Sequence, residues 1–259
     1  MNARHAPRTA MMGVLSALLA LACATPWTPT TPATTAGTIS VSRLVVAPLN
    51  LGLRAPSALN VDGEPVWDEL VQYFHAQDRA MKVIDPDGAK RIWEQSFAEL
   101  VDSGLKPDLA SASQHFARRL AEHSDYDLLV MPSLVLRSAR VRGGTVYWDG
   151  VRRKLPVSSV LPTGSIDEVA PMGVRATQWS LEGRVAAVSL HVAVLTSDGH
   201  PVYQGIGGIA VLQEAKLAAT GSGSWELVDR TDAFDERASV SRGIGVAFER
   251  QLPAVAAAW

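Results

Sequence analysis

Residues 39–51 read ISVSRLVVAPLNL. The stretch is apolar and β-branched around Val45-Val46-Ala47, and Pro48 has no N–H to give to a ladder. It predicts a buried strand that ends at the proline. The elements downstream of it set the fold class. Gly63-Glu64-Pro65 opens a helix with proline in its first turn, and Val66, Leu70, Tyr73 and Phe74 recur at helical spacing. Met81 to Ile84 (MKVI) is a short strand closed by Asp85-Pro86-Asp87. A second helix, Gly88 to Ser103, sets Ala89, Ile92, Trp93, Phe97 and Leu100 on one stripe. It stops at Gly104, and Pro107 starts a third helix carrying Leu109, Ala112, Phe116 and Leu120.

Farther along, YDLLVMPSLVLRSARV (Tyr126 to Val141) reads as a strand that Gly143-Gly144 turns into Thr145 to Val151. Residues 156–179, with prolines at 156, 162 and 171, read as loop. In the next strand Val188, Leu190, Val192 and Val194 alternate with Ser189, His191 and Ala193. Asp198-Gly199 is a strong hairpin signal, with Val202 to Leu212 as the return strand. A Gly/Ser break at Thr220 to Ser224 precedes a last helix near Asp235 to Leu252. This order predicts an α/β (α+β) fold: one mixed, largely antiparallel sheet with helices packed mainly on one face. No internal repeat is visible, and residues 39–259 read as a single globular domain.

Upstream of that domain the chain changes character. Arg4 and Arg8 stand without an acid before MMGVLSALLALA (Met11 to Ala22). Twelve residues of helix reach only about 18 Å, too short for a hydrocarbon core of about 30 Å, and the charged flank fits the apolar core of a secretory signal. Residues 1–22 are therefore expected to be a signal peptide. Residues 24–38, ATPWTPTTPATTAGT, carry no charge and are dominated by Thr and Pro. Such a composition favours extended chain, about 3.1 Å per residue, and predicts a tether of roughly 45 Å.

Composition narrows the function classes. A net charge of −2 with 24 basic and 26 acidic residues does not suit a nucleic-acid binder. After the leader no run approaches the length of a membrane span. The one cysteine, Cys23, has no partner for a disulfide within the chain, and a lone thiol cannot build a zinc site.

Ala20-Leu21-Ala22-Cys23 resembles the lipobox of bacterial lipoproteins. In that family the cysteine receives a diacylglycerol, the leader is removed and the new amino terminus is acylated. The resemblance implies lipid attachment at Cys23, with two or three chains giving the firm hold that one cannot. Ala24, where many inner-membrane lipoproteins carry Asp, implies the periplasmic face of the outer membrane. The order of elements is in turn similar to a group of periplasmic lipoproteins with a fold like the amino-terminal domain of TolB. That group includes the curli secretion lipoprotein, activators of penicillin-binding proteins and a polysaccharide-export lipoprotein. Leu44 to Leu49, the Glu64 to Phe74 helix, Met81 to Ile84, Tyr126 to Val130 and Asp198-Gly199 carry the likeness. It implies an accessory or assembly subunit with a protein partner in the envelope, and in one relative a homo-oligomeric ring. The extra sequence between 142 and 182 departs from the simple pattern.

No catalytic kit emerges from the residues, and no metal or cofactor is expected. His115 and His123, eight residues apart on a helix, are separated by about 12 Å along its axis, too far to share one ion. His191 sits amid an apolar strand alternation as a half-buried histidine. Asp85/Asp87, Asp125/Asp127 and Asp229/Asp232 flank turns and helix starts, where Asp caps amides. Gly205, Gly207 and Gly208 fall inside a strand, where they permit a bulge or close packing rather than cradle a phosphate. A hydrolase acting on an envelope polymer through unrecognised carboxylates is the alternative reading.

One feature remains. Arg137, Arg140, Arg142, Arg152, Arg153 and Lys154 face a single acid, Asp149, with Tyr147 and Trp148 between them. These six cations and Trp148 form a candidate docking patch for an anionic protein face, polymer or lipid headgroup. The competing reading is a solvated hairpin with Trp148 packed inward.

Overall fold

The computed structural model of the protein describes residues 43–52, 63–76, 81–158, 182–217 and 225–249. Leu44–Val46 (β1) is buried at every position and is followed by helix Glu64–His75 (α1) and strand Met81–Val83 (β2). Helices Pro86–Asp102 (α2) and Leu109–Ala121 (α3) then lead into the long strand Leu128–Arg142 (β3). β1 pairs in parallel with β2 on one side and with β3 on the other. Right-handed crossovers to opposite sides of one strand put their helices on opposite faces of the sheet. The core follows that rule. Val66, Leu70 and Phe74 of α1 pack with Leu44, Val46, Leu128 and Val130. Ala89 and Trp93 of α2 and Phe116 and Leu120 of α3 pack with Val45, Ala47, Leu129 and Met131. The α/β class and the mixed open sheet stand, while the expectation of helices mainly on one face is corrected.

The remainder is antiparallel. Thr145–Trp148 (β4) pairs β3 at Arg140 to Arg142, and Val151–Lys154 (β5) pairs β4. A two-residue strand, Val157–Ser158 (β6), precedes Gly183–Thr196 (β7), which runs along β3 from Leu128 to Val141. Pro201–Val211 (β8) pairs β7. Gln213–Leu217 (β9) and Trp225–Asp229 (β10) join β6 in a small second sheet that local sequence patterning does not announce. Arg237–Glu249 (α4) packs on the α1 side, with Val240, Ile244, Ala247 and Phe248 in that core.

Several local details refine the expectations. Thr145 to Val151 is not one strand, because Asp149 and Gly150 both take positive φ (31° and 81°) and form a two-residue hairpin. Asp85 caps α2, its side chain accepting from Gly88 N at 2.7 Å. Asp108 caps α3 in a capping box with Ser111. On α2 the buried stripe runs Ala89, Trp93, Ser96, Leu100. Ser96 fits there because its hydroxyl donates to Ile92 O, and the predicted core residue Phe97 is 43% exposed. The strand glycines are places of close approach. A Cβ at Gly205 would collide with Ala247 O, and one at Gly207 with Gly243 O and Ala247 N, so β8 and α4 touch backbone to backbone. A bulge falls next to Gly208 on β8, where Ile209 has no partner between the Ser189–Gly208 and Val188–Ala210 pairs. Among the described residues no helix is long and apolar enough to cross a membrane.

Candidate anion-binding face

Strand alternation sorts the basic hairpin into two faces. The inward face carries Ala139, Val141, Val146, Trp148, Val151 and Val185, all buried in one cluster. Trp148 is 7% exposed, and its Nε1 donates to Val188 O at 3.1 Å. The hairpin curls over the sheet to make this contact, and Gly208 N donates to Asp149 O at 3.2 Å. Trp148 is therefore a core residue and is corrected out of the docking patch. A large aromatic with a single polar atom satisfies both demands by burying the ring and spending its N–H on a carbonyl.

Two of the six cations also belong elsewhere. Arg137 Nε donates to the Asp149 carboxylate at 2.9 Å, and Ser189 Oγ donates to the same group at 2.6 Å. That clasp fixes the hairpin turn to β7. Arg153 points inward, stands 5.5 Å from the Trp148 ring centroid and donates from Nη2 to Ser239 O at 2.5 Å. Burial lowers its pKa from the ordinary arginine value, and its guanidinium is engaged with α4 and the Trp148 ring rather than presented on the outer face.

The outward face keeps Arg140, Arg142, Arg152 and Lys154. Register places Arg140, Tyr147 and Arg152 side by side across β3, β4 and β5, and Arg142, Thr145 and Lys154 in the next row. On β7, Arg184 stands directly opposite Arg140 and extends the first row to a fourth strand. Its contact is a long hydrogen bond of 3.5 Å to Ser138 Oγ. Arg184 lies 30 residues beyond Lys154 in the chain, so it fell outside the sequence window that marked the patch. Arg140, Arg142, Arg152 and Lys154 make no ion pair with any described residue. Five outward cations thus surround Tyr147, which is 45% exposed.

The other candidates fall into structural roles. Asp125 and Asp127 both pair with Arg43 at the start of β1. Asp229 accepts from Gln213, and Asp232 from Arg230. His115 pairs with Glu99 at 3.1 Å, while His123 lies beyond the end of α3 and is exposed. Burial, and then the charge of Arg137, lowers the pKa of His191. Among the described residues no three His, Cys, Asp or Glu side chains gather in a metal-binding group. Cys23, the leader, the tether, most of the 156–179 loop and the Thr220 to Ser224 break lie outside the described residues.

No protein-family profile, characterised protein or solved structure matches this chain significantly. Fold and site together define an α/β protein with an open mixed sheet, whose antiparallel extension presents a cationic face.

Proposed function

We propose that this chain is an exported envelope protein, lipid-anchored through Cys23, that acts by binding as an accessory or assembly subunit rather than by catalysis. The lipobox-like Ala20-Leu21-Ala22-Cys23, the uncharged tether and the TolB-like order of elements support the location. One observation carries the binding role: five cations on the outer sheet face lack acidic partners among the described residues, in a chain of net charge −2. Ion pairing would otherwise neutralise such a cluster, as Asp149 neutralises Arg137.

Intact-mass spectrometry of the native protein tests the anchor, with a diacylated and N-acylated Cys23 expected; a free thiol with the leader in place overturns it. Cross-linking in envelope preparations tests the binding role. Arg140→Ser/Arg142→Ser/Arg152→Ser should lose the cross-linked species while anchoring is unchanged. Arg153 stays intact in this variant because it serves the fold.

A second reading, self-assembly or a protein contact through α2, draws on Phe97, Val101, Leu105 and Leu109, which are 40–59% exposed along α2, the turn after it and the first residue of α3. Mass measurement in detergent tests it, with a defined oligomer that Phe97→Ser dissociates as the supporting result.

A further inference from the structure

The outer face is broad and follows the curl of the hairpin. Arg184, Arg140, Tyr147 and Arg152 form one row over four strands, with Arg142 and Lys154 in the next. At about 4.8 Å between strands and about 6.8 Å between same-face neighbours along a strand, the cations cover roughly 15 by 7 Å. They do not converge on a point, as donors for one small anion must. The hollow beside Tyr147, about 600 Å³ and lined by Arg140, Asp149 and Arg152, is open to solvent rather than enclosing. Leu136 shares this side of β3 by alternation and is 42% exposed. Acids are scarce. In residues 128–158 and 182–196 only Asp149 and Glu182 occur, and Asp149 is already engaged by Arg137 and Ser189.

We propose that this face is a peripheral membrane contact, laid against a bilayer surface rich in anionic lipid. The inference rests on the binding role proposed above for the same residues and names its partner. An extended array of cations without acidic partners is complementary to a bilayer surface of headgroup phosphates. Tyr147, apolar in its ring and polar at its hydroxyl, suits the headgroup level, with Leu136 beside it. The part of β3 that bears the array projects past the helices. Leu134 and Val188 are still buried with α1 and α4, whereas Leu136, Ser138 and Arg140 are exposed. On β3 the cations therefore lie beyond the stretch that α1 and α4 cover. Chain length permits the same pose. Leu128 to Arg140 spans about 40 Å of strand, and the chain enters β1 beside Leu128. Residues 24–42 can reach at most about 65 Å, enough to return from there to the same membrane.

The test uses the full chain carrying Cys23→Ser, so that no lipid is attached and the vesicle result is independent of the anchor reading. Co-sedimentation is measured with vesicles of phosphatidylcholine alone and of phosphatidylcholine with 30 mol% phosphatidylglycerol. Apolar contributions, the leader included, act in both, and the ratio of the two partition coefficients reports the cations. Each surface cation contributes about fivefold to anionic binding, about 1 kcal/mol. Arg140→Ser/Arg152→Ser should therefore lower the ratio about 30-fold. Arg91→Ser/Arg118→Ser, on exposed positions of α2 and α3, should leave it within twofold. Should a variant fail to fold, wild-type salt dependence keeps the test open. Raising salt from 0.1 to 1 M shrinks the screening length from about 10 to 3 Å and should abolish the preference. A ratio near one for the wild type, or an unchanged ratio for the hairpin variant, overturns the proposal. So does salt-sensitive binding to polygalacturonate with none to the vesicles, which assigns the face to a soluble polyanion instead. A free thiol at Cys23 in the native protein would sink the anchor without touching this result.

Discussion

Replacing Gly207 with Ala probes the closest approach in the fold. A Cβ there would lie 2.7 Å from Ala247 N and 3.0 Å from Gly243 C, and closer still to Gly243 O. All three are backbone atoms of α4 and cannot swing aside as a side chain could. Restoring contact at about 3.5 Å with Gly243 O, the nearest of them, requires β8 and α4 to part by about 1.5 Å. That movement is transmitted to a tight set of rings. Phe248 stacks on Tyr73 at 5.0 Å between centroids and meets Phe74 edge-on at 5.4 Å, and the Tyr203 hydroxyl donates to Ala247 O. Overpacking a core by one methyl costs about 1–3 kcal/mol, and a backbone-only obstacle places this case at about 3. For a domain of this size that is a fall in Tm of roughly 6–12 °C, measured by circular dichroism in thermal unfolding. Gly183→Ala is the matched control. It lies on β7 with no atom of a described residue within 4 Å of the added carbon, and should be neutral or raise Tm slightly. Equal melting of the two variants would refute the backbone contact between β8 and α4.

Trp148→Ala should destabilise by about 3–5 kcal/mol in urea unfolding, because it empties the inner face of the hairpin and orphans Val188 O. A surface docking residue would instead leave the midpoint unmoved. Asp108→Asn tests the cap of α3. The hydrogen bond from Ser111 N lowers the Asp108 pKa below its ordinary 3.8, so the charged cap stabilises the fold above that value. The advantage is lost as pH falls through the lower folded value. The two proteins should differ in stability at pH 6, and the difference should shrink as pH falls below 3.8 in equilibrium unfolding.

Much of the secondary structure was legible because its causes are local. Pro48 stops β1, Asp85 and Asp108 announce helix starts, and the alternation from Val188 to Val194 marks a strand. The glycines at 205, 207 and 208 signalled close packing, although not against which helix. Asp149-Gly150 carried the same hairpin signature as Asp198-Gly199 and marks the break between β4 and β5. Phe97 and Ser96 exchanged roles because a serine that returns its hydroxyl to its own helix can be buried, and periodicity alone scores it polar. The short strands β6, β9 and β10 are paired across gaps of many residues and leave little local trace.

By itself the sequence determined the apolar face of most of the longer strands and helices and where they begin, since side-chain period and capping act over a few residues. It also held the leader, Cys23 and tether motifs that carry the proposed location. Only the tertiary structure decided which side of the sheet each helix covers, because β2 and β3 had first to take opposite sides of β1. It also decided which arginines are free. Arg137 finds Asp149 across 12 residues, Arg153 finds Ser239 across 86, and Arg184 joins Arg140 only through the β3–β7 register. A charge is spent or available according to what lies beside it in space, and neighbours so distant along the chain are fixed by packing rather than by pattern.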